Sequence, residues 1–161
     1  MLSVDLFKTF IEYHNDMSRR VWESIDQITE EQFVADDAYS RGSIRNLMVH
    51  LSNTDSNWLA GLKNIPEEED VPKKNYVDDP DRTSVRAFWN ATTKDLEDYA
   101  ETLTEAKLGE NPMDIQNPRW QVLLHMINHG TDHRSTVLQR LHEFGAPTFD
   151  QDFIIWLDSR K

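Results

Sequence analysis

The sequence predicts an all-α fold, a bundle of four long helices with long connections and a short helix near the C-terminal end. Three observations predict it. Four stretches repeat apolar residues at three- and four-residue spacing, no stretch alternates apolar and polar residues over a strand's length, and helix start and stop signals flank the periodic runs. The chain has 161 residues, with five Trp, seven Phe and four Tyr as bulky core material and 29% charged residues for its surface. That is one domain's worth, expected to span residues 1–161 around one substantial core.

The first stretch places Val4, Phe7, Ile11, His14, Ser18, Val21, Ile25 and Ile28 on one side, with Phe10, Met17 and Trp22 widening the stripe. Thr29 to Phe33 can add one further helical turn. The second stretch opens at Ser43, a good N-cap residue after Gly42, carries Ile44, Leu47, Leu51, Trp58 and Leu62, and ends before Pro66. The third starts among Asp81, Thr83 and Ser84 and spaces Val85, Trp89, Thr92, Leu96, Tyr99 and Leu103 in near-heptad register, which predicts one helix running to Gly109. The fourth starts after Pro118, carries Val122, Met126, Val137, Leu141 and Phe144, and stops at Gly145 with Pro147 behind it. TFDQDFIIWL reads as a short helix capped by Asp150 and packed across the bundle end. Connections near 29–42, 63–80 and 109–118 exceed what an up-down bundle needs and permit crossovers.

The chemistry-bearing feature is HMINHGTDH, which sets His125, His129 and His133 one helical turn apart on one face. At about 100° per residue, His133 lies about 60° from the centre of the buried stripe, His129 about 100° and His125 about 140°. His129 and His133 are therefore the pair on the flank, where a ligand is held by protein yet open to a cleft. His50, alone on the second stretch, also lies about 100° from its stripe centre and supplies a third donor. Three neutral imidazoles suit zinc, nickel, copper or ferrous iron and leave a coordination position open. Asp132, Asn53, Asn57 and Asp55 are near enough in sequence to orient such ligands. Histidines at this spacing also occur on solvated helix flanks without a metal, and a lone His50 also reads as a satisfied, partly buried side chain. His14 falls within the first stripe and reads as core, or as lining the cavity. His142 suits a helix C-terminus. Arg140, on the helical line of His133, either meets an anionic substrate or pairs with a surface carboxylate.

Composition excludes several classes. With no cysteine, disulfides, thiolate ligands and a thiol nucleophile are ruled out, so any sulfur chemistry uses a sulfur brought by a substrate. A net charge of −12 opposes nucleic-acid binding and docking on anionic membranes. The cluster Glu67, Glu68, Glu69 and Asp70 reads as a solvated loop, without the spaced oxygen ligands of a calcium site. No run is long and apolar enough to cross a bilayer, and MLSVDLFKTF lacks the basic start and apolar centre of a signal peptide, so a cytoplasmic location is expected.

GSIRNLMVH opening the second helix, a Trp a turn or two later, and HMINHGTDHRSTVLQRLHEFGAP on the last long helix together resemble the DinB-like superfamily, which includes the YfiT-like metal-dependent hydrolases and several low-molecular-weight-thiol transferases. The resemblance spans nearly the whole chain, and its most specific part is His50 with the His129, His133 pair followed by Arg134. It implies a four-helix bundle with crossover connections, zinc or nickel bound through His50, His129 and His133, and a homodimer. Leu123, Ile127 and Leu138 broaden the stripe of the fourth helix and either reach a partner subunit or lie under the C-terminal segment. Many relatives read HHRGQ where this chain reads DHRST, so Asp132, Ser135 and Thr136 stand in place of His, Gly and Gln.

Three functions compete, beside a dimeric helical scaffold in which the histidines form no site. In a low-molecular-weight-thiol S-transferase, an open three-histidine metal site binds the thiol of a small substrate and lowers its pKa. In a metal-dependent hydrolase the same position holds water, and Asp55 and Asp132 are the local carboxylates for a base. In a non-catalytic stress-response protein the site holds metal or ligand without turnover. The first is the expectation carried forward.

Overall fold

A computed structural model gives the fold and describes residues 2–66, 71 and 81–161. Among the described residues there are seven helices and no strand: α1 (Val4–Ile25), α2 (Glu30–Val34), α3 (Ile44–Leu62), α4 (Arg82–Ala100), α5 (Glu105–Gly109), α6 (Arg119–Glu143) and α7 (Phe153–Asp158). The protein is all-α. The helix starts follow local chemistry, since Ser3, Ser43 and Asp81 accept the backbone N–H three residues on and relieve the unpaired donors of the first turn. The extra turn after the first helix is α2, closed by a reciprocal capping box between Thr29 and Gln32. At the far end α6 stops as predicted, with Gly145 at φ +78°.

Two expectations need correction. The third stretch is not one helix to Gly109: it stops at Ala100, and Thr104 caps a separate short α5 by accepting from Lys107 N. Leu103 and Leu108 keep their apolar spacing because both enter the same core cluster, although the backbone between them is not continuously helical. The C-terminal helix has Asp152, not Asp150, at its cap position. It lies along the side of the bundle rather than across its end, with Trp156 packed against Tyr13 and Met17 of α1 and Ile127 of α6.

The four long helices pack pairwise around a ring, α1 on α6, α6 on α3, α3 on α4 and α4 on α1. Two apolar clusters fill the ends. Trp22, Leu47, Trp89 and Leu141 belong to one, and Phe7, Leu59, Tyr99 and Val122 to the other. These memberships fix the direction of each helix: α1 and α6 run one way, α3 and α4 the other. Hence the connections from α1 to α3 and from α4 to α6 each cross a diagonal of the bundle at one end, whereas the chain leaves α3 and re-enters at α4 from opposite ends. Most of that last connection, residues 63–80, and the acidic cluster at 67–70 lie outside the described residues.

Between the apolar clusters the helices contribute a buried polar layer: His14 and Ser18 from α1, Ser52 and Asp55 from α3, Thr92 from α4 and Arg134 from α6. Leu123, Ile127 and Leu138 are all covered within the chain, Ile127 beneath Trp156. Among the described residues no helix is long and apolar enough to cross a membrane.

Candidate metal centre

The antiparallel pair α3 and α6 brings His50, His129 and His133 together, so that one ring nitrogen from each lies within 4.8 Å of the others. Their ring centroids are 4.4 to 5.0 Å apart. His50 Nε2 and His129 Nε2 are 3.0 Å apart. Two nitrogens held at about 2.0–2.1 Å from one ion, at angles between about 90° and 109°, are separated by about 2.9–3.4 Å, so this pair already has the spacing of neighbouring ligands. Nδ1 of His129 and of His133 are buried without a hydrogen-bond partner. Because His129 faces His50 with Nε2, its unpartnered Nδ1 is the nitrogen left to carry the proton, and the fit to a divalent transition metal rests on one nitrogen from each of three imidazoles lying within 4.8 Å. His125 stays outside this set: exposed as its helical angle predicts, it packs edge-on against Trp58 at 5.1 Å.

Burial keeps the three imidazoles neutral. It pushes His50 and His129 down to about 4, helped at His50 by the positive charge of Arg41 and at both by neighbouring histidines, while the Asp55 carboxylate opposes the shift. His133 moves the same way, mainly through burial, with Asp132 opposing. At neutral pH each ring therefore presents an unprotonated nitrogen, which metal binding requires.

Three of the four sequence-based candidates for support, Asn57, Asp132 and Asp55, make no hydrogen bond to these rings. Asn57 and Asp132 are exposed, and Asp55 is buried but directed to His14, Nε2 to Oδ2 at 3.0 Å. Thr54, one turn beyond His50 and not anticipated, places its hydroxyl 3.5 Å from His50 Nδ1. The four-residue rule that picked out His129 and His133 also points from His50 to Thr54. Arg140 does not meet the centre; it pairs with Asp37 at 2.8 Å and Glu143 at 2.6 Å. His142 is exposed in the last turn of α6.

Behind the centre, Arg134 is fully buried. Its guanidinium donates to Gln151 Oε1 (2.8 Å), Ser18 Oγ (3.1 Å), Thr131 Oγ1 (3.2 Å) and His14 Nδ1 (3.3 Å). An arginine can only donate, so His14 accepts at Nδ1 and its Nε2–H donates to Asp55. Burial pulls Arg134 down to about 10, with Tyr13 and Asp55 opposing, and it stays charged at neutral pH. His14, read from sequence as core or cavity lining, is core, and the middle of this polar chain. Ser135, one of the departures from HHRGQ, accepts from Gln151 Nε2 at 3.2 Å, and the Tyr13 hydroxyl donates to the Gln151 carbonyl. That departure is used to fasten the C-terminal segment to α6.

A cavity of about 430 Å³ adjoins the histidines, lined by Ser40, Arg41, Asn46 and His133. Arg41 and Ser40, on the connection before α3, carry no periodic or motif signal. Only the folding of that connection against α6 reveals them.

A four-helix bundle whose α3 and α6 converge three neutral imidazoles beside a cavity defines a helical protein with a cluster able to hold a metal ion. Within that class, the chain matches the DinB family over residues 1–159 and belongs to it. No match was found among curated proteins.

Proposed function

We propose that the protein is a metal-dependent enzyme that transfers low-molecular-weight thiols, with His50, His129 and His133 holding zinc or nickel. The observation that carries this reading is the convergence of three unprotonated ring nitrogens within 4.8 Å at the edge of a cavity. A divalent ion held by His50, His129 and His133 would supply Lewis acidity, which lowers the pKa of a bound thiol. The protein's own part is to hold three neutral donors at fixed spacing and to admit a small molecule beside His133. With no cysteine of its own, the chain leaves the sulfur to the substrate. Hydrolysis asks for a base near the open position, and the local carboxylates serve it poorly: Asp132 is exposed and Asp55 is engaged with His14.

Elemental mass spectrometry on untagged protein tests the metal reading. Stoichiometric metal is expected in the wild type and in His125→Ala, and its loss in His50→Ala, His129→Ala and His133→Ala. No metal in the wild type after reconstitution with zinc or nickel overturns the reading. Thiol transfer is then tested by scanning metal-loaded protein with thiol and electrophile pairs, and turnover of water-labile esters instead of thiol pairs would favour hydrolysis.

A further inference from the structure

The connection before α3 is built around Arg41. Ser40 sits at φ 57° and Gly42 at φ 85°, the left-handed region that side chains rarely adopt. A Cβ on Gly42 would also meet the carboxylate of Asp36, an exposed side chain that can swing aside, so it is the backbone conformation that calls for glycine there. The Asn46 amide donates to the Arg41 carbonyl at 3.1 Å, and its oxygen is held in turn by Arg45 at 3.1 and 3.2 Å. The backbone of Arg41 is thus pinned while its side chain is exposed and lines the cavity shared with His133.

Its charge has no counterpart. Arg19, Arg82, Arg86, Arg119, Arg140 and Arg160 each meet a carboxylate. Arg20, Arg45 and Arg134 meet no carboxylate either, but Arg20 lies over the Phe149 ring, Arg45 is held by Asn46 and Arg134 by Gln151, Ser18, Thr131 and His14. Among the described residues the Arg41 side chain has neither an ion pair nor a hydrogen bond, in a chain with 29 acidic residues and a net charge of −12. A cation left unneutralised in so acidic a protein, in the wall of a cavity that His133 also lines, is placed to receive an anion from outside.

We propose that Arg41 and Ser40 form an anion subsite that takes the carboxylate of the small substrate whose reacting end meets His50, His129 and His133. The guanidinium fork matches a planar carboxylate, and one positive charge within a field of −12 favours a monoanion over a dianionic phosphate. This rests on the metal-site reading above and adds the substrate class: a carboxylate-bearing thiol, or a carboxylate-bearing acceptor.

The test is calorimetric titration of zinc-loaded wild type and Arg41→Gln with 3-mercaptopropionate and with its neutral counterpart 2-mercaptoethanol. The wild type is expected to prefer the anionic thiol by about tenfold, the scale of one charge-assisted hydrogen-bonded contact. Arg41→Gln should lose that preference while keeping its zinc content and its affinity for 2-mercaptoethanol. No preference in the wild type, or a preference that survives in Arg41→Gln, overturns the subsite. Protein that takes up no zinc sinks the metal reading instead, and propionate titration of the zinc-free protein, followed at the Gly42 amide resonance, then decides the subsite alone. Shifts in the wild type that vanish in Arg41→Gln support it, and none in the wild type overturns it. Tighter binding of methylphosphonate than of propionate would overturn the carboxylate assignment.

Discussion

Gly130→Ala separates two forces that pull in opposite directions. Gly130 lies in the interior of α6, where replacing glycine with alanine favours a helix by about 1 kcal/mol. A Cβ at this position, however, would come within 2.7 Å of both His14 Nδ1 and Arg134 Nη1, and nearer still to His14 Cε1. Neither neighbour can give way freely: His14 is held between Arg134 and Asp55, and Arg134 has no exposed surface. Overpacking a tight core costs about 1–3 kcal/mol, and loosening a buried charge-assisted hydrogen bond about 1.5–3 kcal/mol more. Set against the propensity gain, the variant should lose roughly 1.5–5 kcal/mol, a fall in Tm of about 3–20 °C for a chain of this size. Gly61→Ala is the control, because there the Cβ would meet only the side chain of the half-buried Ile115, whose Cδ1, the free end of a flexible chain, lies at 2.7 Å. Urea and thermal unfolding of both variants reads the difference. A Gly130→Ala protein as stable as wild type, or stabilised by the propensity increment, would refute the close-approach reasoning.

Two further outcomes follow from buried titratable groups. His50 and His129 fall from an ordinary value near 6.5 to about 4 on folding, so as pH drops the unfolded chain takes protons first. Metal-free protein should therefore lose stability between about pH 6.5 and 4, by about 1 kcal/mol per histidine once solvent screening of these half-exposed rings is allowed for, and a urea midpoint that stays flat across that window in wild type would contradict it. Arg134→Met leaves His14 Nδ1 without its donor and Asp55 without its balancing charge, and should cost about 3–5 kcal/mol in urea unfolding, whereas a loss below about 1 kcal/mol would mean the polar layer carries no such burden.

Much of the fold is legible in the sequence because apolar spacing reports burial directly. Val4 to Ile25, Ile44 to Leu62 and Arg119 to Glu143 become helices close to where spacing and caps put them. The same rule misleads at Leu103. Its spacing from Tyr99 is right for burial, and Thr104, a strong N-cap residue, is the local signal that the helix restarts. The three clustered histidines are legible because two lie on one helix and helical angle separates them from His125. Thr54 is within reach of the same rule. Arg41 is not, because its place depends on how an irregular connection folds against α6, and neither is the pairing of His14, Asp55 and Arg134, three isolated polar residues on three helices.

That pairing bears on why the histidine centre keeps its shape. α1 and α3 stand on the bundle's diagonal, yet His14 reaches Asp55 across it and Arg134 joins both to α6. One end of this chain of hydrogen bonds lies five residues from His50 on α3, and the other lies next to His133 on α6. The apolar clusters at either end of the bundle supply most of the burial, but a contact between Leu or Trp side chains survives a small slide of one helix along another. Hydrogen bonds of 2.8–3.4 Å do not survive it, since a shift of one residue moves a helix by about 1.5 Å along its axis. The same shift would carry His129 and His133 past His50 and undo a 3.0 Å nitrogen separation. A buried ion pair contributes little net stability compared with apolar side chains of equal volume, and its best-attested use is to fix register. In this bundle the register so fixed is that of the two helices that carry the histidines, and Gly130 is the position on α6 that lets His14 come close enough to fix it.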